Sequence, residues 1–351
     1  MGSILERPER LQELDKGRML ERLRKYPEDC MNAVEMAKCI DLEAIEGRVI
    51  KAVVFSGVGG SAIGGQLIKD WIYEESKVPL FVSRGYNLPG FVDLETLVFS
   101  VSYSGNTEET LSAFHEALKR GATVISLTSG GVLGKLSKEK GLILALMPTG
   151  LLPRAALPYQ FFMLATIMNR LGLIGDSWRE ADESFDILGR LRDETLPEVP
   201  IGSNPAKRLA SRMMNKVPFV YGPRLFEGVA YRLGTQLNEN SKVPAASGSF
   251  PELFHNAVMG SEAPDDILRP LCIMIIRDPG ETEAMTRKID RFKALLEPRV
   301  AGLLEVRARG KGKLARILSV IYLGDYVSAY LGLLYGKDPS SMDAIVELKR
   351  V

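Results

Sequence analysis

Cysteine and histidine are scarce: Cys30, Cys39 and Cys272 are the only thiols, and His115 and His255 the only imidazoles, in 351 residues. An odd number of cysteines without paired spacing argues against a disulfide framework and fits a reducing cytoplasm, the expected location. So few imidazoles, and no clustered thiols, argue against a metal site, and neither metal nor cofactor is expected. Net charge is only +1, so there is no broad basic field for nucleic acid or a membrane surface, and neither is expected as a partner. Apolar runs are broken by Gly, Pro or charge, so no membrane span is expected. The opening MGSILERPER is charged and lacks an apolar core, so no signal peptide is expected either. No Walker loop occurs. What remains is an ordinary water-compatible composition, 46% apolar and 25% charged, with length enough for two medium domains.

Periodicity organises that length. Residues 9–25 and 27–40 have helical spacing without chemistry of their own. Strands are expected at Val49–Phe55, Pro79–Ser83, Val98–Val101, Thr123–Leu127 and Leu142–Leu146, alternating with helices at Ala62–Tyr73, Glu108–Arg120 and Val132–Lys140. That alternation predicts an α/β fold with a doubly wound parallel sheet. A proline-rich stretch, Leu152–Pro158, leads into helices at Tyr159–Leu171 and Trp178–Arg192. A second series then follows: strands at Val217–Tyr221, Val243–Ala246, Leu271–Ile276 and Gly302–Val306, and helices at Phe226–Asn238, Thr282–Leu295 and Leu314–Leu334. The last is apolar enough to be buried, while Arg316 and Asp325 within it speak against a membrane span. The expected division is 1–47 as packing helices, 48–150 as a first domain, 151–200 as a helical connector and 201–351 as a second domain.

Two strand-to-helix turns carry the chemistry. Ser56-Gly57-Val58-Gly59-Gly60-Ser61 follows the first strand, and Ser102-Tyr103-Ser104-Gly105-Asn106-Thr107 follows the third. Hydroxyls and backbone N–H groups at a helix N-terminus suit a phosphate. In a parallel sheet both turns lie beyond the carboxyl ends of strands, where ligands bind. The ordinary alternative is that Asn106 or Thr107 merely caps a helix. A dinucleotide site is disfavoured, because no G-x-G-x-x-G is in phase and Arg84, not an acid, follows the second strand.

With these turns in place, the chain resembles the sugar isomerase (SIS) domain family, through GVGGSAIGG at 57–65 and SYSGNTEET at 102–110. LPRAALPY at 152–159, NENSK at 238–242 and FPELFHN at 250–256 narrow the resemblance to the archaeal-type bifunctional phosphoglucose/phosphomannose isomerases. The resemblance implies two doubly wound, flavodoxin-like SIS domains with parallel sheets flanked by helices. It implies interconversion of glucose 6-phosphate, and mannose 6-phosphate, with fructose 6-phosphate through an enediolate. Gly60, Ser61, Ser102, Ser104 and Thr107 would hold the phosphate, and Arg154 would bind the substrate and steady the enediolate oxygens. Thr107 stands where conventional phosphoglucose isomerases carry glutamine, which the resemblance links to acceptance of the mannose isomer.

The same resemblance makes Glu239 the base that moves a proton between C2 and C1. It gives ring opening to His255, reaching in from the second copy of a homodimer, and to Lys349. Taken alone, Arg154 reads as a surface arginine, Glu239 as an acid at a helix end that opposes the dipole, and Lys349 as a solvated charge. His255 sits in a Pro/Phe-rich loop, and His115 reads as a bystander.

Two other functions fit the sequence less well. A sugar-phosphate-binding SIS regulator without catalysis would need a helix-turn-helix with a basic face, and none is evident in residues 1–48. The isomerase half of an amidotransferase would need a glutaminase domain ahead of it, for which those residues are too few.

Overall fold

The computed structural model describes residues 3–348, so Lys349 lies outside the described residues. Packing divides the chain into Tyr26–Arg179 and a second unit made of Met1–Lys25 with Glu180–Val351, as far as these are described. Helix α1 (Pro8–Leu14) opens on a proline at its first position. It stops at Asp15, whose carboxylate accepts the Met19 and Leu20 N–H groups, each at 2.7 Å, and so starts α2 (Met19–Arg24). One periodic stretch thus becomes two helices, divided by a side chain that competes with the backbone.

The unit Tyr26–Arg179 runs α3 (Tyr26–Lys38), β1 (Ala52–Ser56), α4 (Gly60–Trp71), β2 (Leu80–Ser83), β3 (Thr96–Val101) and α5 (Glu108–Lys119). It continues with β4 (Thr123–Thr128), α6 (Gly131–Glu139), β5 (Ile143–Leu146) and α7 (Leu157–Arg170). All strand pairs are parallel, in the order β2-β1-β3-β4-β5. β1, β3 and β4 are buried along their whole length, which is why they read as unbroken apolar runs. Val54, Val98 and Val124 pack with Phe114 of α5 and Leu133 of α6 on one face. On the other face Phe55 and Phe99 stack at 5.5 Å, and Gly65 of α4 lies against Phe55.

The second unit adds α8 (Ala181–Thr195), α9 (Pro205–Met213), β6 (Val217–Pro223), α10 (Glu227–Gln236), β7 (Ala246–Phe250) and α11 (Asp265–Leu268). After these come β8 (Leu271–Arg277), α12 (Glu283–Leu296), β9 (Gly302–Arg307), α13 (Lys313–Leu334) and α14 (Asp343–Leu348). Its four parallel strands are ordered β7-β6-β8-β9, repeating the local order β2-β1-β3-β4. The strand expected at Val243–Ala246 lies later in the chain. Lys242 is left-handed (φ 59°), Pro244 has no N–H, and the Ala245 N–H goes to Asn238 Oδ1 at 2.9 Å, so pairing with β6 begins only at Ala246.

Helix α13 is long and apolar enough to cross a membrane, but it is buried within its own unit. Its Tyr322 and Tyr330 hydroxyls donate to the Leu23 and Thr195 carbonyls, each at 2.6 Å. Its Asp325 is buried against Arg232 of α10 at 2.7 Å, with Gln236 donating at 3.0 Å.

Candidate active site

The order of the first sheet reverses between β1 and β3, so their carboxyl ends flank the crevice where such sheets take ligands. After β1 the chain turns tightly: the Gly57 N–H donates to the Ser83 carbonyl at 3.1 Å, and a β-carbon on Gly57 would stand 2.8 Å from the Val101 carbonyl oxygen. Gly59 has φ 56° and ψ −126°, a conformation that favours glycine. Helix α4 then begins, and buried Ser61 accepts the Tyr103 N–H at 3.2 Å.

After β3, the Ser102 and Thr107 hydroxyls share a hydrogen bond of 2.9 Å, and Ser102 Oγ also accepts the Gly105 N–H at 3.1 Å. Exposed Ser104 accepts the Asn106 N–H at 3.3 Å. Asn106 Oδ1 accepts the Val132 N–H at 3.0 Å, which ties this turn to the start of α6. Thr107 occupies the N-cap position of α5, but its side chain makes no capping bond to the helix. The hydroxyl is spent on Ser102 instead, and no side chain caps the N-terminus of α4 either. Two uncapped helix starts and several hydroxyls therefore gather at one switch point, an arrangement suited to a phosphate.

Arg154 belongs to the same unit, in a 3-10 turn, Pro153–Ala156, that leads into α7. It is only 2% exposed, so the surface arginine that residue type alone suggests is a buried cation. Gly60 explains its position, since a β-carbon there would come within 3.0 Å of the Pro153 carbonyl and 3.1 Å of the Arg154 nitrogen. Tyr103, which the sequence did not single out, joins the pieces. Its N–H meets Ser61, its hydroxyl donates to the Pro148 carbonyl at 2.9 Å, and the same oxygen accepts the Leu151 N–H at 2.7 Å. An aromatic residue inside a turn otherwise built of Ser, Gly and Asn was the available signal. Gly60, Ser61, Ser102, Ser104, Thr107 and Arg154 all lie around this one switch point.

In the other unit Glu239 is half-buried, in a π-helical turn, Leu237–Ser241, that follows α10. The helix expected through Asn238 ends at Gln236, because the turn widens against α13. Asn240 Nδ2 donates to Ser328 Oγ at 2.9 Å, Ser241 Oγ to the Ser328 carbonyl at 2.7 Å, and Gly332 lets the Asn240 carbonyl approach. Such widened turns concentrate at functional positions. His255 is exposed and borders a cleft with Phe254, Lys288 and Phe292 on the α12 side. It and Glu239 therefore rest against different helices. His115 is exposed on α5.

The second sheet has no counterpart of the hydroxyl turn. β8 takes the place of β3, and the segment after it is filled by the chain's own Glu281. Its buried carboxylate accepts Arg277 Nη2 and the Asp278 N–H, each at 2.8 Å, and Thr286 Oγ1 at 3.2 Å. Of the two duplicated turns, one is thus closed by an internal anion.

Residues 48–168 match the SIS domain model, and residues 202–351 match the bacterial phospho-glucose isomerase C-terminal SIS domain. The chain is 41% identical over 332 residues to a bifunctional phosphoglucose/phosphomannose isomerase of Caldicellulosiruptor bescii, covering 94% of this chain and 98% of that one. It is 37% identical to the protein of the same name from Aquifex aeolicus, covering 85% and 89%. A glucose-6-phosphate isomerase like protein from Thermus thermophilus shares the fold, with TM-score 0.65, 21% identity and coverage of 97% and 99%.

Proposed function

The chain belongs to the bifunctional phosphoglucose/phosphomannose isomerase family, and from that premise we propose which of its residues bind and which move protons. It interconverts glucose 6-phosphate and mannose 6-phosphate with fructose 6-phosphate. Such a reaction opens the sugar ring, then carries a proton between C2 and C1 through an enediolate. Ser61, Ser102, Ser104, Thr107 and the Gly60 backbone hold the phosphate, which supplies binding energy for positioning. Arg154 stabilises the enediolate oxygens. Glu239 is the base that carries the proton.

Ring opening falls to His255 and Lys349. The exposure of His255, which rests against a different helix from the Glu239 turn, supports a homodimer in which it serves the substrate of a second copy. Cysteines few in number and without paired spacing support a cytoplasmic setting.

The observation that carries the reading is the pair of uncapped helix starts at the β1/β3 switch point, with buried Arg154 seated on Gly60. A coupled assay with each hexose 6-phosphate tests it. Turnover of both aldoses to fructose 6-phosphate is expected, and binding without turnover of either would contradict it.

A further inference from the structure

Beneath the phosphate turns the first sheet carries a row of serines. Ser83, Ser56, Ser100 and Ser126 are register partners across β2, β1, β3 and β4, so all four side chains leave the sheet on one face. The outer two are satisfied: Ser83 Oγ donates to the Asn87 carbonyl at 3.1 Å, and Ser126 Oγ accepts from Ser137 at 2.7 Å. The inner two, Ser56 Oγ and Ser100 Oγ, are buried and have no hydrogen-bond partner. Nor has Thr110 Oγ1, which is buried on α5.

Thr110 begins the stripe Thr110, Ala113, Phe114, Ala117, whose later members pack on Val54 and Val98. Helix α5 runs antiparallel to the strands it covers, so its first turn meets their carboxyl ends, where Ser56 and Ser100 lie. The topology thus brings three unpaired buried hydroxyls to the same end of the α5–sheet interface, two of them on neighbouring strands about 4.8 Å apart. One row below, the same positions hold Val54, Val98 and Val124. Serine is one heavy atom smaller than valine, so the side chains at this level fill less of the space under α5 than the valine row does.

We propose that Ser56, Ser100 and Thr110 bind an internal water molecule that positions the two phosphate turns. Three polar partners are the usual complement of a buried water. Gly57 follows Ser56 directly and Ser102 stands two residues beyond Ser100, so this water sets the spacing of the strand ends from which both turns start. The three are positioning residues, and the kinetic part of the inference rests on the isomerase reading.

The test combines a high-resolution crystal structure of the wild type with thermal unfolding and kinetics of Ser100→Ala, Thr110→Val and Thr110→Ser. Expected are a solvent peak within hydrogen-bond distance of at least two of the three hydroxyls and a lower Tm for Ser100→Ala and Thr110→Val. KM should rise about fivefold with kcat kept, the size of one lost hydrogen bond. Thr110→Ser, which keeps the hydroxyl, should restore wild-type KM. A dry cluster predicts the opposite sign, because deleting an unpaired buried hydroxyl relieves a desolvation penalty and raises Tm. A raised Tm, or no solvent peak, would overturn the inference. Neither readout depends on turnover, so an inactive wild type would instead count against the isomerase reading.

Discussion

Gly60 lies so close to Arg154 that a β-carbon at position 60 would stand 3.1 Å from the Arg154 nitrogen. The first turn of α4 and the backbone that carries the buried Arg154 are thereby packed together, although 94 positions separate them in the chain (154 − 60). Gly60→Ala must push this segment away by a few tenths of an ångström. Since misplacing a reacting group by about 1 Å can cost roughly a hundredfold, kcat is expected to fall on the order of tenfold, and further in Gly60→Val. Steady-state kinetics checks this, and unchanged kcat in both variants would separate Arg154 from the chemistry.

Thr107 spends its hydroxyl on Ser102 rather than on capping α5. Thr107→Val keeps the shape and removes that bond. KM for every hexose phosphate is expected to rise by about fivefold or more, with little change in Tm. A fall in Tm at unchanged KM would make the Thr107–Ser102 bond a purely structural one.

The Arg232–Asp325 pair is only 3% and 2% exposed at its side chains. Burial pushes the Asp325 carboxyl above its ordinary range, against the pull of Arg232 and of the hydrogen bond from Gln236. Asp325→Leu removes the carboxylate that faces a buried cation and is expected to cost about 3–5 kcal/mol in denaturant unfolding. Adding Arg232→Met should recover most of the loss. Two losses that simply add would show that the partners are not coupled.

Helix α13 starts on two carboxylates: Glu183 accepts the Lys311 and Gly312 N–H groups at 2.7 and 2.8 Å, and Glu180 accepts the Leu314 N–H at 2.8 Å. The bond from Lys311 chiefly holds the Glu183 carboxyl below its ordinary value of 4.5. A depressed carboxyl adds stability that is complete above 4.5 and disappears as pH falls through the lower folded value. Glu183→Gln should therefore be less stable than wild type at neutral pH, by up to about 1 kcal/mol, and equal to it in strong acid. Unfolding midpoints measured across that range check the sign.

Much of this was legible along the chain. β1, β3 and β4 are buried on both faces, so their composition announces them, and a Ser/Gly turn between strand and helix carries its own meaning. Relations across distance were not legible. The burial of Arg154 depends on Gly60 and on a loop tied to the Tyr103 hydroxyl. The turn that holds Glu239 widens only because Ser328 and Gly332 of α13 receive it. The shift of the strand after Lys242 is likewise a contest for N–H groups that a propensity reading does not count.

Glu239→Gln tests the central claim most directly, assayed for turnover of fructose 6-phosphate and, in parallel, for its binding. With the phosphate turns intact, binding should stay near wild type, while turnover drops by about two to four orders of magnitude, the usual contribution of a positioned base. Wild-type turnover in that variant would show that another group moves the proton and would contradict the account.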